Sequence, residues 1–520
     1  PAFPKHLGSS GEASPFFADI DGDGVQELIV SLADGTVHAY KSDGSEAAGF
    51  PVNLHVRRAM DPEFEVNARG ACSFREDKTG CIAQVGTIDP DVKQTVMMPP
   101  AAGDLDGDGT LEIVVSTWDG YVYVFEHDGS TREGWPKTVD WSLKKIGKTH
   151  VTDSGFFASP VLYDMDGDGD LEIICAAMDQ HIYMWEHDGT PVAPYPVRVG
   201  SSPADERTER IVCTPAIGDI DGDGKPEIAV GTSEVFGAKD ASNEAIAYVL
   251  EGETGEVAEG WPQSLYGLMV DVLPIVGRGV PSNPILADLD FDGKLEISFD
   301  TISTQGWIFR SDGSIYKKMN NKEFGPGSDS ADSPVYVLMN NGAIGYIDPE
   351  GGLDFVKGTA GFDFAITFAG GGTRGYFDHQ LSGWDTDTGM MLEGFPRVMD
   401  DWQFFNTPTI VDLNNDNDPE VVIGSGGYLV HSWNYRGEEP EGWPKQTGGW
   451  IIASAAVGEF DGDGLFEVAV TTRDGWLYVW DTVGKTGSIF EWSGFGHDIH
   501  NTNNYEMPVT PYKTWESKAP

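Results

Sequence analysis

A nine-residue acidic loop recurs along the chain, and a repeat of this kind constrains the fold more than any other feature. Its first copy is Asp19-Ile-Asp21-Gly-Asp23-Gly-Val-Gln-Glu27, with carboxylates at positions 1, 3, 5 and 9. Four further full copies place the same acids at Asp104, Asp106, Asp108 and Glu112; at Asp164, Asp166, Asp168 and Glu172; at Asp219, Asp221, Asp223 and Glu227; and at Asp288, Asp290, Asp292 and Glu296. Two variants follow. One reads Asp412, Asn414, Asp416 and Glu420, and the other Glu459, Asp461, Asp463 and Glu467. The step from 288 to 412 is much longer than the rest. Inside it, Tyr346-Ile-Asp348-Pro-Glu350-Gly-Gly-Leu-Asp354 keeps acids at positions 3, 5 and 9, a decayed eighth copy.

The residues around each loop are also regular. After Asp104 come Leu111-Glu-Ile-Val-Val-Ser116, then Trp118-Asp-Gly120, Tyr121-Val-Tyr-Val-Phe125, His127-Asp-Gly129 and Gly134-Trp-Pro136. Short β-type runs separated by Asp-Gly turns predict strands joined by tight turns. An apolar run before the loop and a segment after Gly-Trp-Pro bring each unit to four strands. Four strands per unit of this length is the period of a propeller blade. The sequence therefore predicts an all-β chain: a single β-propeller of eight four-stranded blades over residues 1–505, with seven blades as the runner-up. A loose C-terminal tail covers 506–520.

An aromatic-Pro pair ends most units, at Phe50-Pro51, Trp135-Pro136, Tyr195-Pro196, Trp261-Pro262, Phe395-Pro396 and Trp443-Pro444. It also occurs at Phe3-Pro4, before the first loop, and is missing after the last. The N-terminal segment is thus expected to supply the outer strand of the final blade and leave no free edge between blades. In the fifth unit, which lacks the pair, Ile315-Tyr316 stands in its place. Insertions are expected at 52–100 in the first unit, at 236–244 and at 361–375. Insertions in repeat folds gather on one rim, often the binding face. The stretch Trp492–Tyr505 breaks the repeat and is expected to pack across the last blade.

Composition narrows the function. Asp and Glu number 84 against 33 Lys and Arg, a net charge of -51. Such a chain repels nucleic acid and anionic membrane surfaces. No stretch is long and apolar enough to span a bilayer, so no membrane insertion is expected. No signal peptide is visible, and the start at Pro1 points to a processed or trimmed N-terminus. Over a third of the acids occupy loop positions, so much of the charge is arranged rather than scattered.

Three or four carboxylates on one tight loop repel one another, and a divalent ion resolves the repulsion. Glycine at positions 4 and 6 lets the backbone curl. An all-oxygen, flexible cage of six or seven ligands suits Ca²⁺; Mg²⁺ keeps more of its water, and Zn²⁺ prefers His or Cys. About seven structural Ca²⁺ sites are expected. Asn414 keeps an oxygen and loses a charge, so weaker binding is expected there. An EF-hand is excluded, because it closes with Glu at position 12 and leads into a helix.

Ser159-Pro-Val-Leu-Tyr-Asp164-Met-Asp-Gly-Asp-Gly-Asp-Leu-Glu172-Ile and its counterparts resemble the FG-GAP/VCBS repeat family. That family is known from integrin α-subunit propellers and many secreted bacterial proteins. The resemblance implies a calcium-bearing propeller outside the cytoplasm: extracellular, on the cell surface or periplasmic. The lack of an Asn-x-Ser/Thr sequon favours a bacterial source. Cys72 and Cys81 bracket a polar segment, and a disulfide between them is expected. Cys175 and Cys213 sit in apolar runs and read as buried thiols.

The expected function is a binding, adhesion or scaffold module for a glycan or protein partner at a rim, or a subunit of a cell-surface assembly. Aromatic residues in irregular segments are the candidates for contact: Phe156, Phe157, Phe362, Phe364, Trp402, Phe404, Phe405 and Trp450. The alternative is a polysaccharide-acting, lyase-like enzyme or the propeller portion of a larger one. His150, His181, His379 and Arg374 are the groups that could serve it. No nucleophile elbow, HExxH, P-loop or Rossmann fingerprint is present, so no catalytic residue is assigned.

Overall fold

The alternation of short apolar runs with Asp-Gly turns folds every unit into an antiparallel sheet, seen here in a computed structural model. The structure describes the chain apart from residues 1, 55, 59–90, 94, 141–142, 144–154, 201–209, 234–244, 266–278, 302–305, 320–333, 337–339, 350, 362–378 and 510–520. Eight four-stranded blades form a ring, and no helix occurs among the described residues. In blade 1 the strands run outward in chain order as Phe16–Ala18, Glu27–Ser31, Thr36–Tyr40 and Val52–Asn53. The innermost strands of the other blades are Ala101–Gly103, Val161–Tyr163, Ala216–Gly218, Ile285–Ala287, Gly342–Gly345, Thr409–Val411 and Ala456–Gly458. The Tyr346 unit is a full blade, which settles the count at eight rather than seven.

The second and third strands read as continuous apolar runs because both faces are covered by neighbouring blades. Ile113, Val114, Val115, Ile173, Ile174, Ile228 and Val230 are all fully buried. Each such side chain stabilises the fold by about 1.5–3 kcal/mol relative to exposure. Cys175 and Cys213 lie buried and unpaired in this core, as expected. Cys72 and Cys81, and with them the expected disulfide, lie outside the described residues, as do most of the expected insertions.

Specific contacts set neighbouring blades in register. Trp135 Nε1 donates to the His187 carbonyl at 3.2 Å, Tyr195 Oη to Gly252 at 2.7 Å and Trp261 Nε1 to Ser311 at 2.8 Å. Each bond runs from an aromatic-Pro pair to the next blade. Ahead of the innermost strands runs a belt of backbone-to-side-chain bonds. Ser159 N–H donates to Thr214 Oγ1, Thr214 N–H to Asn283 Oδ1, and Asn283 N–H to Asn341 Oδ1, at 2.8–3.0 Å. Thr407 N–H donates to Ser454 Oγ at 2.7 Å. Lys5–His6 pairs antiparallel with the third strand of blade 8, Lys5 opposite Leu477 and His6 opposite Trp476. The N-terminus therefore closes the ring as the outer strand of the last blade.

The C-terminal stretch departs from expectation. It does not lie across the last blade. Phe490–Trp492 adds to the inner edge of blade 7, pairing with Thr409–Val411. The chain then runs through the axis. Ala102 and Leu162 donate their N–H groups to the carbonyls of Ile499 and His500, and Ile217 and Leu286 to those of Thr502 and Asn503. Asn501 Nδ2 lies 3.1 Å from the carbonyls of Pro100 and Pro160, and Asn504 Nδ2 lies 3.1 Å from that of Ile217. Innermost strands leave unpaired backbone groups facing the axis, and the tail satisfies those of blades 2 to 5. Gly103 and Gly218 make the room: a Cβ there would meet His500 and Asn504 at 3.1 and 2.4 Å.

Candidate metal centres

All eight acidic loops join a first strand to a second, so they lie on one face of the ring. Their backbone is built by local bonds. The position 6 N–H donates to the position 1 carboxylate in six loops, at 2.9–3.1 Å. The position 7 N–H donates to the position 5 carboxylate in seven, at 2.8–3.0 Å. Position 4 takes a positive φ throughout those seven. It is glycine at Gly22, Gly107, Gly167, Gly222 and Gly462, but Phe291 and Asn415 adopt the same conformation at φ 56 and 64.

Position 9 has a role that spacing alone did not reveal. In every blade one of its oxygens accepts the position 2 N–H: Ile20 to Glu27, Leu105 to Glu112, Met165 to Glu172, Ile220 to Glu227, Leu289 to Glu296, Ile347 to Asp354, Leu413 to Glu420 and Phe460 to Glu467, at 2.7–3.3 Å. The decayed loop keeps this bond, which shows its common descent with the others in geometry as well as in sequence. Glu350 of that loop lies outside the described residues.

The second oxygen of position 9 faces the other acids. Carboxylate oxygens of Asp19, Asp21 and Glu27 lie within 4.8 Å of one another, and so do those of Asp164, Asp166 and Glu172, of Asp219, Asp221 and Glu227, and of Asp288, Asp290 and Glu296. In blade 2 the grouped acids are Asp104, Asp106 and Asp108. Each of these clusters could hold a metal ion. Oε1 of Glu112, of Glu172 and of Glu467 is buried with no hydrogen-bond partner. A buried carboxylate oxygen left without a donor is costly, and a hard cation with oxygen ligands is the group that fits there. The residues present therefore suit Ca²⁺.

Burial pushes these carboxyls up. It raises Glu112, Glu172, Glu227, Glu420 and Glu467 to about 8 and Glu296 to about 7, with neighbouring acids adding to the rise. Glu27 and Asp354 rise for the same reason. In the variant loop of blade 7, Asn414 Nδ2 donates to Glu420 Oε1 at 2.7 Å and to Asp416 Oδ2 at 3.0 Å. The amide thus supplies from within the loop a donor that Glu172 Oε1 and Glu467 Oε1 lack.

The opposite face carries the segments that lead into the innermost strands, and there aromatic rings meet. Phe157, ahead of blade 3, packs edge-on to Phe405, ahead of blade 7, with centroids 5.4 Å apart. Phe404 stacks on Trp402 at 5.2 Å and meets Trp450 at 5.8 Å. Phe156 and Phe157 are buried, whereas Trp402, Phe404, Phe405 and Trp450 are half-buried. Phe362 and Phe364 lie outside the described residues.

Of the groups that could serve catalysis, the two among the described residues, His181 and His379, lie in different blades. His181 opens the third strand of blade 3 and sits 3.0 Å from the Asp179 carbonyl. His379 is buried in blade 6, 4.8 Å from Trp402, and burial holds it toward the neutral form. His150 and Arg374 lie outside the described residues. The axial tail is a polar site the sequence reading missed. Its only signal was a run of Asn, Thr and His where the repeat stops.

Residues 104–175 and 164–230 match the family described as FG-GAP-like repeat, so this part of the propeller carries FG-GAP repeats. No curated protein matches the chain by sequence. Solved structures share the fold at low identity. A europium-containing methanol dehydrogenase is 12% identical, covering 95% of this chain and 85% of its own, with a TM-score of 0.55. The V. cholerae biofilm matrix protein Bap1 is 13% identical, with 94% and 90% covered and a TM-score of 0.51. The Dos1 propeller is 11% identical, with 93% and 96% covered and a TM-score of 0.51. At these identities the likeness is one of fold.

Proposed function

We propose that the chain is a calcium-stabilised binding propeller that works outside the cytoplasm and takes a glycan on the face opposite its acidic loops. The observation that carries this reading is the half-buried row Trp402, Phe404 and Trp450 on that face, where Phe404 stacks on Trp402 and meets Trp450 edge-on. Flat apolar rings with a polar surround suit the faces of sugar rings. Asp401 and Arg473 flank the row and offer polar partners, the Arg473 guanidinium lying 5.4 Å from the Trp450 ring.

The acidic loops serve the structure in this reading. Carboxylates of these loops, as at Asp164, Asp166, Asp168 and Glu172, would hold Ca²⁺. A bound ion neutralises the packed carboxylates and ties each first strand to its second, adding its binding free energy to that of folding. An extracellular or periplasmic setting supplies calcium at the level such loops require. A protein partner on the same face is the other form of the proposal.

A glycan array, run on the folded chain with Ca²⁺ and again with EDTA, tests it. Reproducible calcium-dependent binding that is lost in Trp402→Ala supports the glycan reading. A blank array from a chain folded in Ca²⁺ overturns it and turns attention to protein partners.

A further inference from the structure

The eight loops read alike in sequence, yet each cage has a further neighbour from elsewhere in its blade. The acid at position 9 lies directly across the sheet from a residue at or near the end of the third strand. Glu227 pairs with Glu251, Glu467 with Asp481 and Asp354 with Asp385. The same register sets Glu27 opposite Lys41, Glu112 opposite Glu126, Glu172 opposite Glu186 and Glu296 opposite Arg310. Side chains directly opposite in an antiparallel pair are near neighbours, and like charges there are destabilising. The facing residue is therefore part of each cage, and its charge differs from blade to blade.

In three blades a base of the same sheet bridges the two acids that an ion would bridge. Lys41 Nζ lies 3.4 Å from Glu27 Oε1 and 3.9 Å from Asp21 Oδ2. Arg310 Nη1 lies 3.5 Å from Glu296 Oε1 and 2.7 Å from Asp290 Oδ2. In blade 2 the facing residue is Glu126, but Arg132 reaches in from beyond the next turn. Its guanidinium lies 3.4 Å from Glu112 Oε1 and 2.5 Å from Asp106 Oδ2. Three bases at three sequence contexts thus contact the same pair, position 3 and the free oxygen of position 9.

Blades 3, 4 and 8 show the opposite. Among the described residues, no basic side chain lies within ion-pair distance of Glu172, Glu227 or Glu467. Lys225, the base nearest the blade 4 loop, turns outward to Glu253 at 2.6 Å. The facing residues are acids, and Glu172 Oε1 and Glu467 Oε1 are buried oxygens with neither a hydrogen bond nor a base beside them; Glu112 Oε1 also lacks a hydrogen bond, but there Arg132 lies 3.4 Å away. The position 9 acids there are 2–3% exposed.

We propose that the charge set beside position 9 by the rest of the blade sorts six of the loops into two classes. Glu186, Glu251 and Asp481 add a carboxylate and make blades 3, 4 and 8 the high-affinity calcium sites, whereas Lys41, Arg132 and Arg310 place a built-in cation where the ion would sit and close blades 1, 2 and 5 without metal. This rests on the calcium reading above and divides its sites. The physical ground is charge count. Calcium affinity in oxygen cages rises with the number of charged ligands, and an ammonium or guanidinium inside the cage must be expelled before an ion can enter. The fixed bases give three of the eight blades a metal-independent closure, so the propeller keeps partial order when calcium is scarce.

The test is to count tightly held ions by native mass spectrometry and follow binding by titration calorimetry. It uses the whole chain, with CaCl₂ as the probe and MgCl₂ as the control. The unaltered chain is expected to hold one tight ion in each of blades 3, 4 and 8. Lys41→Glu and, independently, Arg310→Glu should each add one tight ion, and Glu251→Gln should weaken one site by about tenfold or more. Either gain variant suffices if the other fails to fold. A single class of equivalent sites, unaltered in number or affinity by Lys41→Glu and Arg310→Glu, overturns the sorting and leaves the calcium reading standing. A chain that retains no calcium at all overturns both.

Discussion

The backbone N–H of Ser454 lies 2.8 Å from Oγ of Ser14, 440 residues away in sequence. The bond joins blade 8 to blade 1 and belongs to the same belt that links blades 3 to 6. Ring closure therefore rests on a side-chain acceptor as well as on the N-terminal strand. Ser14→Ala leaves a buried N–H without its acceptor and should cost about 1–3 kcal/mol. Urea unfolding of the two proteins measures it. A change under a few tenths would mean that the strand alone closes the ring.

The glycine ahead of an aromatic-Pro pair is where neighbouring blades touch backbone to backbone. A Cβ on Gly260 would sit 2.0 Å from the Asp312 carbonyl oxygen, and its φ is +89. Gly260→Ala should therefore cost at least about 3 kcal/mol, combining overpacking with left-handed strain. A thermal melt showing a stable Gly260→Ala protein would contradict the packing described for blades 4 and 5.

Position 4 of the blade 5 loop bears Phe291 at φ 56, where five sister loops have glycine. Its side chain is largely exposed, so little packing is lost on removal. Phe291→Gly should raise stability by up to about 1 kcal/mol, relief of left-handed strain being partly offset by glycine's freedom in the unfolded chain. The midpoint of denaturant unfolding reports the sign.

The raised carboxyls give pH and calcium opposite signs. Without an ion, Glu227, Glu420 and Glu467 titrate in the fold at about 8, well above their unfolded value. Their contribution is fully present below the unfolded value near 4.3 and is lost as pH rises to about 8. In EDTA the melting temperature should therefore fall between about pH 4.5 and 8. In millimolar Ca²⁺ it should rise over the same range, because the ion binds the ionised form. At pH 7.5 chelation should lower it by roughly 10 °C or more. Scanning calorimetry across pH decides this, and a melt indifferent to EDTA would remove the ions from the account.

Asn501 Nδ2 reaches two carbonyls, those of Pro100 and Pro160, and so joins blades 2 and 3 at the axis. Asn501→Ala should cost about 2–3 kcal/mol, since both carbonyls lose a buried donor. Hydrogen exchange at Ala102 and Leu162, whose N–H groups bond to adjacent tail residues, should quicken in the variant. Unchanged exchange would mean that the tail is held elsewhere.

Repeat number and strand order were legible from Asp19 to Glu467, and ring closure from Phe3-Pro4. The period is written in residues close together in each unit, and a blade is a local antiparallel sheet. Even the decayed copy could be placed, because Asp354 keeps the position that holds the loop's backbone. What spacing could not show is who faces whom across a blade or across the axis. Lys41 and Glu251 occupy the same register position with opposite charge, and only strand pairing reveals that each faces a position 9 acid. Ile499 to Tyr505 follow no period at all. Their partners are inward-facing backbone groups that share one axis only once eight blades have closed around it. The sequence by itself determined a ring of acidic blades. The tertiary structure decided what fills its centre and which of its cages carry their own cation, because both depend on long-range juxtaposition.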